Sequence, residues 1–225
     1  MERDRAGDAS TSWLASLGLR LSVWFERWFP TPVLLAPPAL GIDISDNSIK
    51  WLAFENKNDQ KYIRVYGEEL LPDGVITGGI VKDPDALASA LRALKPRFGG
   101  ITHAHAALPE EASYVFSMHV PIDTPRQQVL SMIEFEFEGR VPIPPSAAVY
   151  DYDVITERDG DAGTEIAVVV FPLELAKAYA QAFEQAGIFL LSLELEARSM
   201  ARAISTYKDD EPITLVVDFG RARTG

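Results

Sequence analysis

Apolar positions along this chain recur with two spacings, which predicts alternating strands and helices. Short apolar runs of strand length are bounded by Gly, Pro, Asp and Asn, and longer segments place apolar residues at helical spacing. The predicted strands outside the middle section are Leu40–Ile44, Ile49–Phe54, Tyr62–Leu70, Ile101–Leu108, Phe189–Leu195 and Ile213–Phe219. The predicted helices there are Asp83–Lys95, Pro172–Ala186 and Glu196–Tyr207. Asp83 is the predicted N-cap of the first, with Pro84 in its first turn, and Gly187 lies just past the end of the second. Three strands followed by alternating helices and strands predict an α/β fold with a mixed sheet.

The middle of the chain has a different order, strand–helix–strand–strand. Thr124 is predicted to cap the helix, with Pro125 at its first position. The four elements are predicted at Ser113–Val120, Thr124–Gly139, Val149–Thr156 and Glu165–Phe171. Because this order interrupts the alternation on both sides, we expect an inserted subdomain over residues 109–169.

Residues 1–39 are predicted to form an amphipathic helix, residues 12–29, and a Pro-rich linker. The apolar face of the helix consists of Leu14, Leu17, Leu21, Trp24, Phe25 and Trp28. The chain contains no stretch of 18 apolar residues, and the first eight residues carry no net positive charge. We therefore predict neither a transmembrane span nor a secretory signal. The helix is expected either to dock on protein, in its own domain or in a partner, or to lie at a membrane surface.

Composition excludes several classes of function. The chain of 225 residues has a formal net charge of −12, which argues against a nucleic-acid partner. It contains no Cys, which excludes disulfides and thiolate metal sites. His103 and His105 share one face of a predicted strand, but no carboxylate accompanies them at metal-ligand spacing, so we do not expect a metal site there.

Two of the predicted strands end in an Asp that is followed by a turn of small and polar residues. Asp43 precedes Ile44-Ser45-Asp46-Asn47-Ser48, and Asp218 precedes a turn that contains Gly220 and Thr224. Backbone N–H groups of such turns can bind an anion, and a neighbouring carboxylate can hold hydrated Mg²⁺. Either Asp alone would be an ordinary turn residue, but two such turns facing each other would hold the phosphates of a nucleotide. Lys50 follows the first turn and could face the phosphates, but we predict it to be a surface lysine of the strand.

The paired turns resemble phosphate 1 and phosphate 2 of the actin-like ATPase superfamily. The strand–helix–strand–strand section is similar to the 1C or SHS2 insertion of its FtsA and PilM branch. Five further segments resemble PilM, the type IV pilus assembly family: Leu70–Ile76, Gly79–Pro84, Ala106–Pro109, Phe135–Pro144 and Tyr150–Tyr152.

The resemblance covers about residues 40–225 and implies an RNase H-like actin core, subdomain 1A, over residues 40–108 and 170–225. The insertion would then occupy residues 109–169. Because the chain stops within its phosphate 2 turn, we expect a fragment, the first half of such a protein.

The resemblance also implies the site residues. Those expected to bind ATP are Asp43, Ser45, Asn47 and Ser48 in phosphate 1 and Asp218, Gly220 and Thr224 in phosphate 2. Asp43 and Asp218 would hold Mg²⁺ through water. Glu196 matches the connect 1 acid, which positions the attacking water or the metal; its alternative role is that of an acid favoured by a helix dipole. Ser45 replaces the usual Gly and Ala197 a frequent Pro, so at most weak ATPase activity is expected, and only in the full-length protein.

A PilM-like protein is expected to be cytoplasmic and peripheral at the inner membrane. The implied partners are the cytoplasmic tail of a PilN-type inner-membrane protein, lying between the core and the insertion, and other pilus assembly components. The alternatives are an FtsA-like cell-division protein, whose amphipathic helix is C-terminal, and an actin-fold sugar or acetate kinase. The strand–helix–strand–strand insertion argues against the kinase.

Overall fold

The computed structural model describes residues 37–58, 60–157, 163–204 and 215–217. The strands are β1 Ala39–Ile44, β2 Ser48–Lys57, β3 Gln60–Leu70, β4 Ile76–Thr77, β5 Ile80–Val81, β6 His103–Leu108, β7 Tyr114–Val120, β8 Ala148–Glu157, β9 Thr164–Pro172 and β10 Phe189–Leu195. The helices are α1 Pro84–Leu94, α2 Arg126–Arg140, α3 Leu173–Ala186 and α4 Glu196–Ile204. Short 3₁₀ turns lie at Lys95–Phe98, Glu110–Ala112 and Pro145–Ala147.

A five-stranded mixed sheet forms the larger part of the fold. Its strand order is β10-β6-β1-β2-β3. The β10–β6 and β6–β1 pairs are parallel, and the β1–β2 and β2–β3 pairs are antiparallel. Alternate residues of β1, namely Leu40, Ile42 and Ile44, are buried in one core with apolar residues of α1 and α3. The other residues of β1, which are Ala39, Gly41 and Asp43, therefore belong to the opposite face of the sheet.

Local sequence explains where the two covering helices begin and end. The Asp83 side chain accepts a hydrogen bond of 2.9 Å from the Ala86 N–H, and Pro84 follows directly at the start of α1. Gly187 ends α3 with φ of +68°, a conformation that Gly adopts without steric cost. Both signals were recognised in the sequence.

A three-stranded antiparallel sheet, in the order β7-β9-β8, packs against α2 around a second core. Ile133, Val168 and Val170 are its most deeply buried members, at 0% exposure, and Phe137 is 1% exposed. Tyr150 lies at the edge of this core and donates a hydrogen bond to Glu134. Burial and this hydrogen bond raise the pKa of Tyr150 to about 12. The observed order of these elements is the predicted strand–helix–strand–strand.

Two local predictions need correction. Thr124 does not cap α2, because its hydroxyl donates to the Pro121 carbonyl at 2.6 Å and Pro125 takes the capping position. The prediction of a final strand is wrong for residues 215–217, which form no strand and are exposed. An apolar run becomes a strand only where a neighbouring strand completes its backbone hydrogen bonds, and apolarity alone does not supply that partner.

Other predictions lie outside the described residues. These are the amphipathic helix at residues 12–29 and the turn that contains Asp218, Gly220 and Thr224. Within the described part of the chain, no helix combines the length and the apolar character needed to cross a membrane.

Candidate functional site

A row of charged residues crosses the sheet near the carboxyl ends of its parallel strands. Asp43 on β1 is the register partner of Lys50 on β2, and their side chains approach to 3.8 Å between Oδ2 and Nζ. Ile42 pairs with Ala106, and Ala107 pairs with Glu194 on β10. The order across four strands is therefore Lys50, Asp43, Ala107, Glu194. Ligands of open α/β sheets bind at this edge, outside the carboxyl ends of the strands.

The small residues in and beside this row leave a groove of about 310 Å³. Ala107 separates the two carboxylates, which are about 10 Å apart from Cα to Cα because each strand spacing is about 4.8 Å. Gly41 adds no side chain, and His105, Ser199 and Arg202 also contribute to the wall. The groove thus brings together two carboxylates, an ammonium and a guanidinium.

Arg202 on α4 stabilises the charged form of Glu194. Arg202 donates to Glu194 Oε2 at 2.6 Å and Ser199 donates to the same oxygen at 3.2 Å. Burial acts to raise the pKa of Glu194, but Arg202, Ser199 and Arg198 together outweigh it and lower that pKa. Glu194 is therefore a fixed carboxylate at one end of the groove, rather than a group that stores a proton near neutral pH.

The predicted phosphate 1 turn connects β1 to β2 and is held by its own hydrogen bonds. The Ser45 N–H donates to the Ser48 carbonyl at 2.9 Å. Ser45 Oγ accepts from the Ser48 N–H at 3.1 Å and, more weakly, from the Asn47 N–H at 3.4 Å. Ser48 is 5% exposed. Three N–H groups of this turn are therefore already hydrogen-bonded within the turn.

Asp46 ties this turn to the β4–β5 hairpin. Its two carboxylate oxygens accept the N–H groups of Gly78 and Gly79 at 2.8 and 2.9 Å. Gly79 in turn accepts a hydrogen bond of 3.0 Å from the buried Tyr179 hydroxyl. The hairpin and the role of Asp46 were not predicted, because two strands of two residues each give no periodic signal.

The structure places the predicted site residues in different surroundings. Asp43 lines the groove, whereas Ser45, Asn47 and Ser48 form the adjoining turn. Glu196 is the first residue of α4 and is not among the residues that line the groove; Glu194, two positions earlier, is. Lys50, which was predicted to be a surface lysine, lines the groove, and so does Arg202, which the sequence did not single out. Strand alternation could have placed Ser192 and Glu194 on the same face of β10. Only the register between β10, β6 and β1 places Glu194 level with Asp43.

The groove carries the kinds of group that water-mediated magnesium–phosphate binding uses. No cluster of three potential metal ligands occurs among the residues that the structure describes. Mg²⁺ usually keeps several waters and uses one or two carboxylates together with substrate phosphates. Asp43 fits such water-mediated binding, and Lys50 and Arg202 supply the cations that a phosphate attracts.

Comparison with known proteins identifies the family. The family model of the type IV pilus assembly protein PilM matches residues 41–218. The chain belongs to the PilM family. The match includes both strands of the Asp43–Lys50 pair and extends to Asp218. No curated protein matches the chain.

Among solved structures, the fold is similar to that of the PilM–PilN type IV pilus biogenesis complex. The TM-score is 0.66 at 20% identity, over 73% of this chain and 49% of that chain. The present chain thus spans about half of its length. Weaker likenesses are the cytoplasmic domain of EpsL, an inner membrane component of the Vibrio cholerae type II secretion system (TM-score 0.45, 13% identity, 69% and 56% coverage), and an actin-like ATPase fold protein of Bacteroides thetaiotaomicron (0.38, 10%, 74% and 55%). The predicted α/β actin-like fold with a mixed sheet is confirmed.

Proposed function

We propose that this PilM-family chain is a nucleotide-binding scaffold that holds the cytoplasmic tail of a PilN-type inner-membrane protein. The observation that carries the proposal is the row Lys50–Asp43–Ala107–Glu194 at the carboxyl edge of the sheet. In this row Asp43 provides a carboxylate, Lys50 provides a cation, and Ala107 leaves space between the charged side chains. An actin-like fold is expected to bind phosphate at this edge of the sheet. The partner would place the protein at the inner membrane.

The nucleotide part of the proposal rests on charge and space in the groove. Lys50 lies 3.8 Å from Asp43, so it balances that carboxylate and remains more than half exposed towards a ligand. Asp43 would hold Mg²⁺ through water, and the ion, when bound, would neutralise charge on the phosphate oxygens. Asp218, Gly220 and Thr224 would complete the site from the second turn. Glu196, at the start of α4, would orient water near the phosphates.

Replacing Lys50 by Met should weaken binding of Mg²⁺–ATP roughly tenfold, because a charge-assisted contact to phosphate is lost. Lys57→Met on the same strand is the matched control; Lys57 pairs with Glu55 and is not among the groove residues. Isothermal titration calorimetry with Mg²⁺–ATP measures the affinities of wild type and of both variants. Equal affinities of wild type and Lys50→Met would remove Lys50 from the phosphate site.

The partner part rests on apolar and acidic surface where the two cores meet. Val169 and Phe171 of β9 turn away from α2 and pack against the first core. Their register neighbours Val115 on β7 and Val149 on β8 are 56% and 36% exposed. Alternation puts Asp151 and Asp153 on the same face as Val149, and these two carboxylates form ion pairs with Arg126 and Arg198.

We therefore place the tail across residues 109–169, treated as the 1C-like insertion, and the adjoining core. An extended peptide binds such surfaces by alternate side chains. The net charge of −12 favours a peptide with the basic flanks that cytoplasmic juxtamembrane segments usually have. The similar solved structure is itself a complex of PilM with PilN.

The double variant Val115→Ser, Val149→Ser should weaken binding of a fluorescent PilN-type tail about tenfold or more, because two apolar contacts of about 1 kcal/mol each are lost. Phe135→Ser is the control, since Phe135 is 84% exposed on α2, on the other side of the same sheet. Fluorescence anisotropy gives the affinities. A larger loss for Phe135→Ser would move the tail to α2.

A further inference from the structure

The Ser45 hydroxyl is the common acceptor of two backbone N–H groups in the turn between β1 and β2. It accepts the Ser48 N–H at 3.1 Å and the Asn47 N–H at 3.4 Å, and it donates to the Ser48 carbonyl at 3.2 Å. Successive N–H groups that converge on one oxygen are the arrangement by which turns bind phosphate. Here the converging oxygen belongs to the turn itself.

We propose that Ser45 is an internal competitor for phosphate, which fills the turn when no nucleotide is bound and must be displaced when one binds. This inference rests on the proposed nucleotide site. The side chain of Ser turns about a single bond, so displacement requires only a rotamer change and no movement of β1 or β2. The hydroxyl thus sets how tightly this chain binds phosphate.

The competition follows from the strengths of the bonds exchanged. Hydrogen bonds from backbone N–H groups to a charged phosphate oxygen are about twice as strong as those to a neutral hydroxyl. Phosphate can therefore displace Ser45, but the bonds given up reduce the net gain in affinity. A side chain without a hydroxyl at position 45 would leave these N–H groups bonded only to water before phosphate arrives.

Ser45→Ala should therefore bind Mg²⁺–ATP and Mg²⁺–tripolyphosphate roughly tenfold more tightly than wild type, the factor that corresponds to about 1.4 kcal/mol. Tripolyphosphate tests the turn without any contribution from an adenosine pocket. Ser45→Thr keeps the hydroxyl and should bind like wild type. Ser131→Ala is the matched control on α2, where the hydroxyl donates to the Gln127 carbonyl.

A readout without nucleotide tests the same contact. The Ser48 amide should exchange with solvent faster in Ser45→Ala than in wild type or Ser45→Thr, as measured by NMR, while the amides of β6 stay unchanged. Should Ser45→Ala fold poorly, Ser45→Gly removes the same hydroxyl and serves in its place.

The outcomes separate the two proposals. Equal or weaker binding by Ser45→Ala, with clear binding by wild type, would overturn the competitor role and leave the nucleotide site standing. Failure of every variant to bind either ligand would overturn both. Tighter binding by Ser45→Thr as well as Ser45→Ala would show that the hydroxyl is not the competitor.

Discussion

Replacing Phe137 by Ala is expected to cost about 3–5 kcal/mol of the free energy of unfolding of the second core. Phe137 is 1% exposed and packs edge-on to Tyr150 with ring centroids 5.1 Å apart. Ile133 and Val168, both at 0% exposure, belong to the same core. Truncation to Ala removes apolar contacts and leaves a cavity that these neighbours cannot fill.

Segment-resolved hydrogen exchange in urea is the measurement, because a chain with two cores need not unfold in one step. We expect faster exchange in β7, β8 and β9 while β1 and α3 keep their protection. Phe135→Ala, two residues earlier on the same helix, is the control; Phe135 is 84% exposed and should change stability by less than about 0.5 kcal/mol. Equal loss of protection in both cores would mean that residues 109–169 do not form a separate folding unit.

Gly79→Ala is expected to destabilise the chain by about 2–4 kcal/mol. Gly79 has φ of +73°, which costs an L residue about 1–2 kcal/mol. A Cβ there would also lie 2.4 Å from Cγ and 2.6 Å from Cβ of Pro109, a contact that requires either the hairpin or Pro109 to move. Pro109 directly follows β6, so the strain reaches the segment that connects β6 to β7.

Gly78→Ala separates the two causes. Gly78 has φ of +58°, but a Cβ there would meet nothing within 4 Å, so only the backbone cost of about 1–2 kcal/mol is expected. Urea unfolding followed by Trp fluorescence compares the variants. If the two variants lost equal stability, the contact with Pro109 would contribute nothing.

These contacts connect the turn between β1 and β2 with Pro109, the residue that follows β6. Asp46 holds Gly78 and Gly79, and Gly79 packs against Pro109. A loosened hairpin in Gly79→Ala should therefore also disturb the turn that contains Ser45.

Sequence alone determined most of the elements, because their signals are local. The apolar run Phe189–Leu195 became β10 with the predicted bounds, and Asp83 caps α1 as predicted. The predicted strand–helix–strand–strand order was observed with shifts of one or two residues at the element ends. Hydrophobic periodicity, helix caps and helix breakers depend on residues that are close together in sequence, so they can be recognised from the sequence alone.

Only the tertiary structure decided what the groove contains. Asp43 was recognised because a strand ending in Asp before a polar turn is a local pattern, whereas Lys50 resembled any exposed strand lysine. Glu194 became a site residue through the register of β10 against β6 and through Arg202 on α4. Register between strands far apart in sequence is set by packing of the whole sheet, and no short window of sequence contains it.

The bulge in the β2–β3 pair shows the same limit within one hairpin. Strict alternation predicts Arg64 on one face with Tyr62 and Tyr66, but the register shifts between Ala53 and Phe54. Arg64 instead donates to the Gly99 carbonyl at 2.8 Å, beyond the end of α1. A bulge adds one residue to one strand only, so its position depends on the partner strand and on distant acceptors rather than on the alternation itself.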